Sequence, residues 1–320
     1  MIALVGSGGM ARDFAKVLNA QKRAFKVVGR GAEGARAFEK AIGVPVIQGG
    51  LEIALERGTI SGASTAIVAV GVEALYSTTS LLIDAGFRRI LVEKPAGLNA
   101  VEIHALNKLA EANGTEVFVA YNRRFYSSVR QARRMIADDG GLLSFTFEFT
   151  EWGHEIVTLV KAPGVKEHWV LGNSSHVIDL AFFVAGKPIA MQTMHAGSLD
   201  WHPAASRFVG CGRTANGSLF SYHANWGAPG RWALEFCTPQ YRLILRPMEA
   251  LQLVRKGSVA IEPVEATGAE LDKDFKPGLF LQTKAFLEGE DADLCPLSQH
   301  SEAVDAYCLM AGYSNATTAV

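Results

Sequence analysis

The chain has 320 residues, 31 basic and 32 acidic, a net charge of −1, with 49% apolar and 20% charged side chains. That length suggests about two domains of roughly 150 residues, long enough to bury a core without disulfides or metals. The apolar content excludes a disordered chain. The even charge leaves no general attraction for phosphate backbones or anionic lipid, so neither nucleic acid nor a membrane is an expected partner.

The first 120 residues alternate two patterns. Aliphatic runs at Ile2–Val5, Phe25–Val28, Ala66–Val70, Ile90–Val92 and Val117–Val119 read as buried strands. Between them, Met10, Phe14, Val17 and Leu18, and then Ile103, Leu106 and Leu109, recur at helical spacing. Such alternation predicts a doubly wound α/β domain on a parallel sheet, placed at 1–121. Beyond it, a helix is expected over Ser127–Ala137 and an alternating, half-exposed antiparallel strand over Leu142–Glu151. A helix over Asn173–Ala185 follows, then strands near Arg207–Val209, Ser218–His223, Trp232–Cys237 and Tyr241–Leu245, and a last helix over Ser301–Gly312. Strands in succession predict an α+β domain over 122–320. Cys211, Cys237, Cys295 and Cys308 are unpatterned, which fits a reducing, cytoplasmic setting. No apolar run reaches the roughly 18 residues of a spanning helix, and no signal-peptide pattern is present.

Gly6-Ser7-Gly8-Gly9-Met10-Ala11 fits G-x-G-x-x-A, directly after a predicted strand and at the opening of a predicted helix. Gly6 serves a tight turn, Gly8 lets a pyrophosphate approach, and Ala11 lets helix and strand pack closely. The helix N-terminus offers N–H groups to phosphates. The second strand ends Val28-Gly29-Arg30, where an NAD site usually carries an acid about 20 residues past the motif. With Gly29 there, Arg30 can pair with a 2′-phosphate, which favours NADP over NAD. Arg30 as a plain solvated residue, and Glu33 as a ribose ligand, are the alternatives.

Leu91-Val92-Glu93-Lys94-Pro95-Ala96 places a charged pair at the C-terminal end of a parallel strand, where such sheets bind ligands. Together with the glycine loop, the segment Leu81–Ala96, Ala120–Phe125 (AYNRRF) and His176–Leu180 (HVIDL), it makes the chain resemble the Gfo/Idh/MocA oxidoreductase family, which includes glucose–fructose oxidoreductase and inositol dehydrogenase. The resemblance implies a nicotinamide-binding Rossmann domain followed by an α+β domain with an open, mostly antiparallel sheet. The outer face of that sheet would make a homodimer or homotetramer. It assigns Lys94 to the nicotinamide ribose and the substrate, with Glu93, Val70 and Gly71 among the cofactor contacts. After the fourth strand the family's Thr-Pro-Asn is replaced by Gly71-Val72-Glu73. The family's Asp four residues before the catalytic His is replaced by Gly172, with Asn173 beside it as an uncharged stand-in.

His176 is expected in the first turn of its helix, where the helix dipole disfavours imidazolium and suits the ring to accept a hydroxyl proton. Asp179, on about the same face, either orients the ring or bonds elsewhere. A structural His176 below an Asn173 or Ser174 cap is the alternative. Asn122, Arg123 and Tyr126 are candidate contacts for substrate hydroxyls or a carboxylate, or else a strand end and helix cap. Trp152 is a candidate sugar-stacking ring, or packing. The histidines show no metal-ligand spacing, so no metal is expected. The implied activity is hydride transfer between nicotinamide and a carbinol or carbonyl carbon of a sugar, polyol or sugar-derived compound. Lys94 would polarise the oxygen and His176 would move the proton. A cofactor-retaining glycosidase or epimerase, or a non-catalytic sugar or dinucleotide sensor, are the alternatives.

Overall fold

The computed structural model describes residues 1–313. They form two units: Met1–Tyr121 with Asp274–Glu302, and Asn122–Lys273 with the chain from Ala303. In chain order the strands are β1 Ile2–Val5, β2 Phe25–Val28, β3 Val46–Ile47, β4 Thr65–Val68, β5 Arg89–Val92, β6 Glu116–Val119, β7 Ser144–Glu148, β8 Pro188–Ala196, β9 Arg207–Thr214, β10 Leu219–Asn225, β11 Ala233–Cys237, β12 Tyr241–Leu245, β13 Leu251–Arg255, β14 Glu262–Val264 and β15 Cys295–Pro296.

The first unit holds a sheet ordered β15-β6-β5-β4-β1-β2-β3, parallel except where β15 runs against β6. All four residues of β1 are buried, as are the last three of β4, β5 and β6, because helices cover both faces. Helix Gly9–Ala20 buries Ala11, Phe14, Ala15, Val17 and Leu18 on one stripe. The strand order reverses between β1 and β4, which opens a crevice at their C-terminal ends. The segment 274–302 belongs to this unit. Arg89 donates to the Phe286 carbonyl at 2.9 Å and pairs with Asp291, and Phe118 meets Phe286 edge-on at 6.1 Å.

The second unit holds a sheet ordered β14-β13-β12-β11-β7-β10-β9-β8. Its central β7 departs from expectation. It spans Ser144–Glu148 rather than Leu142–Glu151, and it runs antiparallel to β11 but parallel to β10. Alternation gives each strand two faces. Phe145, Phe147 and Phe220 point inward, where Phe182 of helix Ser175–Ala185 meets them edge-on at 5.2–6.2 Å. The opposite face carries rows such as Met194, Val209 and His223, in register and exposed. The helix Ser127–Asp138 follows its predicted span, and the last described helix, Leu297–Ala311, starts four residues earlier than expected. Among the described residues no helix is long and apolar enough to cross a membrane.

Candidate active site

Gly6 has φ +124°, and a Cβ there would lie 2.2 Å from the Ala69 carbonyl oxygen. Only glycine lets the chain turn so tightly against the end of β4. Gly8 caps helix Gly9–Ala20 without any capping side chain, and open space surrounds the Cβ positions of Gly8 and Gly9. The first helical N–H groups are thereby left to an incoming anion, which the helix dipole favours. A cavity of about 650 Å³ lies over this loop. Its wall includes Gly6, Ser7, Gly8, Gly9, Met10, Arg30, Val70 and Gly71, and also Glu52, Ser77 and Thr78, which the sequence did not single out. The residues therefore fit a dinucleotide phosphate cradle.

A Cβ at Gly29 would sit 2.9 Å from Val46 and 3.0 Å from the Ser7 hydroxyl. The place of the expected acid is closed to a side chain. Arg30 is exposed on the cavity wall, whereas Glu33 lies outside it. Ala11 is also off the wall. It is fully buried, in the place where the motif needs a small residue for helix and strand to pack, and it makes no part of the cavity that the rest of the motif lines.

Glu93 and Lys94 are half-buried and lie outside this cavity. The Glu93 N–H donates to the Val68 carbonyl at 2.9 Å, and the Ala96 N–H closes the turn onto the Glu93 carbonyl at 3.0 Å. The Lys94–Pro95 peptide is cis. The Pro95 carbonyl lies 3.1 Å from His300 Nε2, and the Tyr121 hydroxyl lies 3.4 Å from His300 Nδ1. One tautomer satisfies both contacts: Nε2–H donates to Pro95 and the Tyr121 hydroxyl donates to Nδ1. His300 thus holds the turn that presents Lys94, a role with no signature in sequence spacing.

In the second unit, helix Ser175–Ala185 is preceded without a break by a π-helical turn, Val170–Ser174. The expectation that His176 sits at a free helix N-terminus is therefore corrected. Backbone carbonyls of the π turn precede it, so the dipole argument does not apply. His176 is buried, its ring centroid 6.2 Å from that of Trp232. Asp179 bonds elsewhere. Its two oxygens take Arg124 Nε at 2.8 Å and Nη2 at 2.5 Å in a buried bidentate pair, so its carboxylate is committed to holding Arg124, the second of the two expected roles. Asn173, expected as a stand-in for the missing acid, donates its amide to both Glu151 oxygens at 2.9 and 3.1 Å. Ser174 Oγ donates to Glu151 at 2.7 Å, and Arg231 lies 3.4 Å from the same carboxylate. A carboxylate does stand beside this turn, but it comes from the segment just past β7.

Aromatic and guanidinium groups alternate next to it. Arg231 lies 4.7 Å from the Trp152 ring and 4.9 Å from Trp232, and Arg123 lies 4.8 Å from Trp232 and 5.9 Å from Tyr126. Such stacking holds cations over ring faces. Burial lowers the Arg123 pKa and pushes the Tyr126 phenol up to about 12. Asn122 is buried at the head of this segment, and exposed Trp152 donates its indole N–H to the Gly230 carbonyl at 3.0 Å. Arg123, Tyr126, Trp152 and His176 therefore belong to one cluster, to which the structure adds Glu151, Arg231 and Trp232. Among the described residues no three His, Cys, Asp or Glu come together as a metal site.

Residues 1–121 match the family model GFO_IDH_MocA, described as an oxidoreductase family with an NAD-binding Rossmann fold. No curated protein sequence matches the chain. Solved structures resemble it along nearly its whole length. UDP-N-acetylglucosamine 3-dehydrogenase from Acidithiobacillus ferrooxidans is 14% identical, with a TM-score of 0.73 over 97% of this chain and 95% of its own. An oxidoreductase from Thermotoga maritima is 16% identical, with a TM-score of 0.75 over 98% and 96%. A levoglucosan dehydrogenase in complex with NADH is 14% identical, with a TM-score of 0.75 over 97% and 96%. Residues 1–121 thus match the model of an oxidoreductase family with an NAD-binding Rossmann fold, and the chain as a whole shares the fold of these solved structures.

Proposed function

We propose that the protein is an NAD(P)-dependent oxidoreductase acting on a carbinol or carbonyl carbon of a sugar, polyol or sugar-derived compound. The uncapped glycine loop under its cavity, within the segment that matches the NAD-binding family, carries this reading. The names of the sugar dehydrogenases among the similar folds support the substrate class. When bound, the nicotinamide supplies the hydride chemistry, and the protein supplies position and electrostatics. Gly6–Met10, Val70 and Gly71 hold the dinucleotide phosphates, and Glu93 supports the cofactor side of its turn. Arg30, with Gly29 closed to an acid, favours a 2′-phosphate and hence NADP. Lys94 binds the nicotinamide ribose and polarises the reacting oxygen, and His176 takes or gives its proton. Asn122, Arg123, Tyr126 and Trp152 bind the substrate.

The test is NAD and NADP reduction over a panel of sugars, polyols and sugar acids, repeated with Lys94→Ala and His176→Ala. Each substitution is expected to lower kcat at least about 100-fold, the usual range for a positioned acid or base. Unchanged turnover in both would sink the reading. The same reading makes the protein a cytoplasmic homodimer or homotetramer joined through the open sheet face, where Met194, Val209 and Leu219 are 73%, 48% and 61% exposed.

A further inference from the structure

Three arginines stand in or beside the cluster of the second unit, and they differ in how their charge is met. Arg124 is neutralised by Asp179 in a buried bidentate pair. Arg231, half-exposed, shares the buried Glu151 carboxylate with Asn173 and Ser174. Arg123 has no such acid. Its guanidinium has no hydrogen-bond or ion-pair partner among the described residues, and its Nε is fully buried. The Trp232 ring, against which it stacks at 4.8 Å, also carries a buried indole N–H with no acceptor. Buried donors without acceptors are rare and costly in native structures, so a pair in one contact points to an oxygen ligand.

We infer that Arg123, beside Trp232, is the subsite for a carboxylate on the substrate. This rests on the oxidoreductase reading and narrows its substrate to a sugar acid. Charge count limits the anion. Arg123 and Arg231 face two carboxylates, Glu151 and Glu249, and the fields of both reach Arg123. Because these charges nearly cancel, a singly charged carboxylate is held at less cost than a doubly charged phosphate monoester or a diphosphate. The planar guanidinium fork also matches two coplanar oxygens, which an ammonium cannot do. The faces of Trp232 and Trp152 then remain for the apolar side of a sugar ring.

The experiment is calorimetric titration of the full-length protein, with and without NADPH. The probes are D-glucuronate, D-galacturonate and D-gluconate, set against D-glucose, D-galactose, D-glucitol and D-glucose 6-phosphate. At least one acid should bind tenfold or more above its neutral parent and above the phosphate ester. Arg123→Met should collapse that preference, with a loss of about 100-fold for the acid. Arg123→Lys, which keeps the charge but not the fork, should recover only part of it. The inference is overturned if no acid exceeds its parent, if the phosphate ester binds tightest, or if Arg123→Met weakens acid and parent alike. Its failure is separable from that of the oxidoreductase reading. An acid bound without any hydride transfer would overturn the activity and leave the subsite, whereas turnover of neutral sugars alone would do the reverse.

Discussion

Glu151 is 1% exposed, and Asn173, Ser174 and Arg231 are among the side chains that donate to it. Removing it would leave the Asn173 amide and the buried Ser174 hydroxyl without the acceptor they share, and Arg231 without its carboxylate. Glu151→Ala is therefore expected to cost about 2–4 kcal/mol of stability, read by urea unfolding. Glu151→Gln, which keeps one acceptor oxygen, should cost less. A change below roughly 0.5 kcal/mol in Glu151→Ala would show that the carboxylate does not hold the turn before His176. Asp179→Ala breaks the buried pair with Arg124 and is expected to cost about 3–5 kcal/mol. The sequence named Asp179 and Asn173 but not their partners. Spacing along a helix says which residues share a face. It carries no information about a carboxylate arriving from a loop 22 residues away. Arg231 and Trp232 were hidden likewise, because residues brought together by sheet pairing share no local pattern.

At the scale of elements, the legible parts were those with a period. Five buried parallel strands announce themselves as aliphatic runs, since both of their faces are covered. β3, with two residues, is too short to show any pattern. The π turn at Val170–Ser174 was illegible for another reason. Its sequence, VLGNS followed by SH, has the Asn and Ser of a helix cap, and the side chains that would cap are bonded to Glu151 instead. The glycine loop offers the sharpest test. Gly6→Ala would place a methyl against the Ala69 carbonyl in a backbone region closed to L residues. It should lower NADPH affinity at least about tenfold and destabilise the protein by more than the roughly 1 kcal/mol of an ordinary Gly-to-Ala change. Fluorescence titration and thermal melting read the two effects. Arg30→Ala should shift the ratio of kcat/KM for NADP over NAD towards NAD. An unchanged ratio would remove Arg30 from cofactor choice.

For the whole molecule, buried phenols, a buried thiol and a buried imidazole bear on the pH window of stability. Burial holds the Tyr126 phenol and the Cys308 thiol each at about 12, above their ordinary values of 10.0 and 9.0. The folded state keeps these protons longer than the unfolded one. Their contribution is complete below about pH 9 and is lost as pH rises towards 12. Burial lowers the His202 pKa, with its Nδ1 near the Ala205 carbonyl at 2.7 Å and its Nε2 near the Tyr313 hydroxyl at 2.9 Å. The unfolded state therefore binds a proton first, and stability falls as pH drops below 6.5. Urea midpoints across pH 5–11 should show a plateau between these limits. His202→Gln should flatten the acid limb between pH 5 and 6.5. Met194→Glu, on the open sheet face, tests the proposed homo-oligomer: sedimentation of the unaltered protein should give a dimer or tetramer, and the variant should shift towards a monomer.

The return of residues 274–302 to the first unit bears on how the protein is made. Arg89 finds the Phe286 carbonyl and Asp291, Gln21 finds the Phe280 carbonyl, and the Pro95 turn finds His300, all from a stretch synthesised more than 150 residues after β6. At typical synthesis speeds of about 5–20 residues per second, the nucleotide-binding unit waits roughly ten seconds or longer, partly assembled, for its last helix and strand. Residues 1–121 expressed alone should accordingly lack a cooperative melt by circular dichroism, and adding the 274–302 peptide should restore one. The domain that begins the chain cannot be finished until the one that interrupts it has been spelled out.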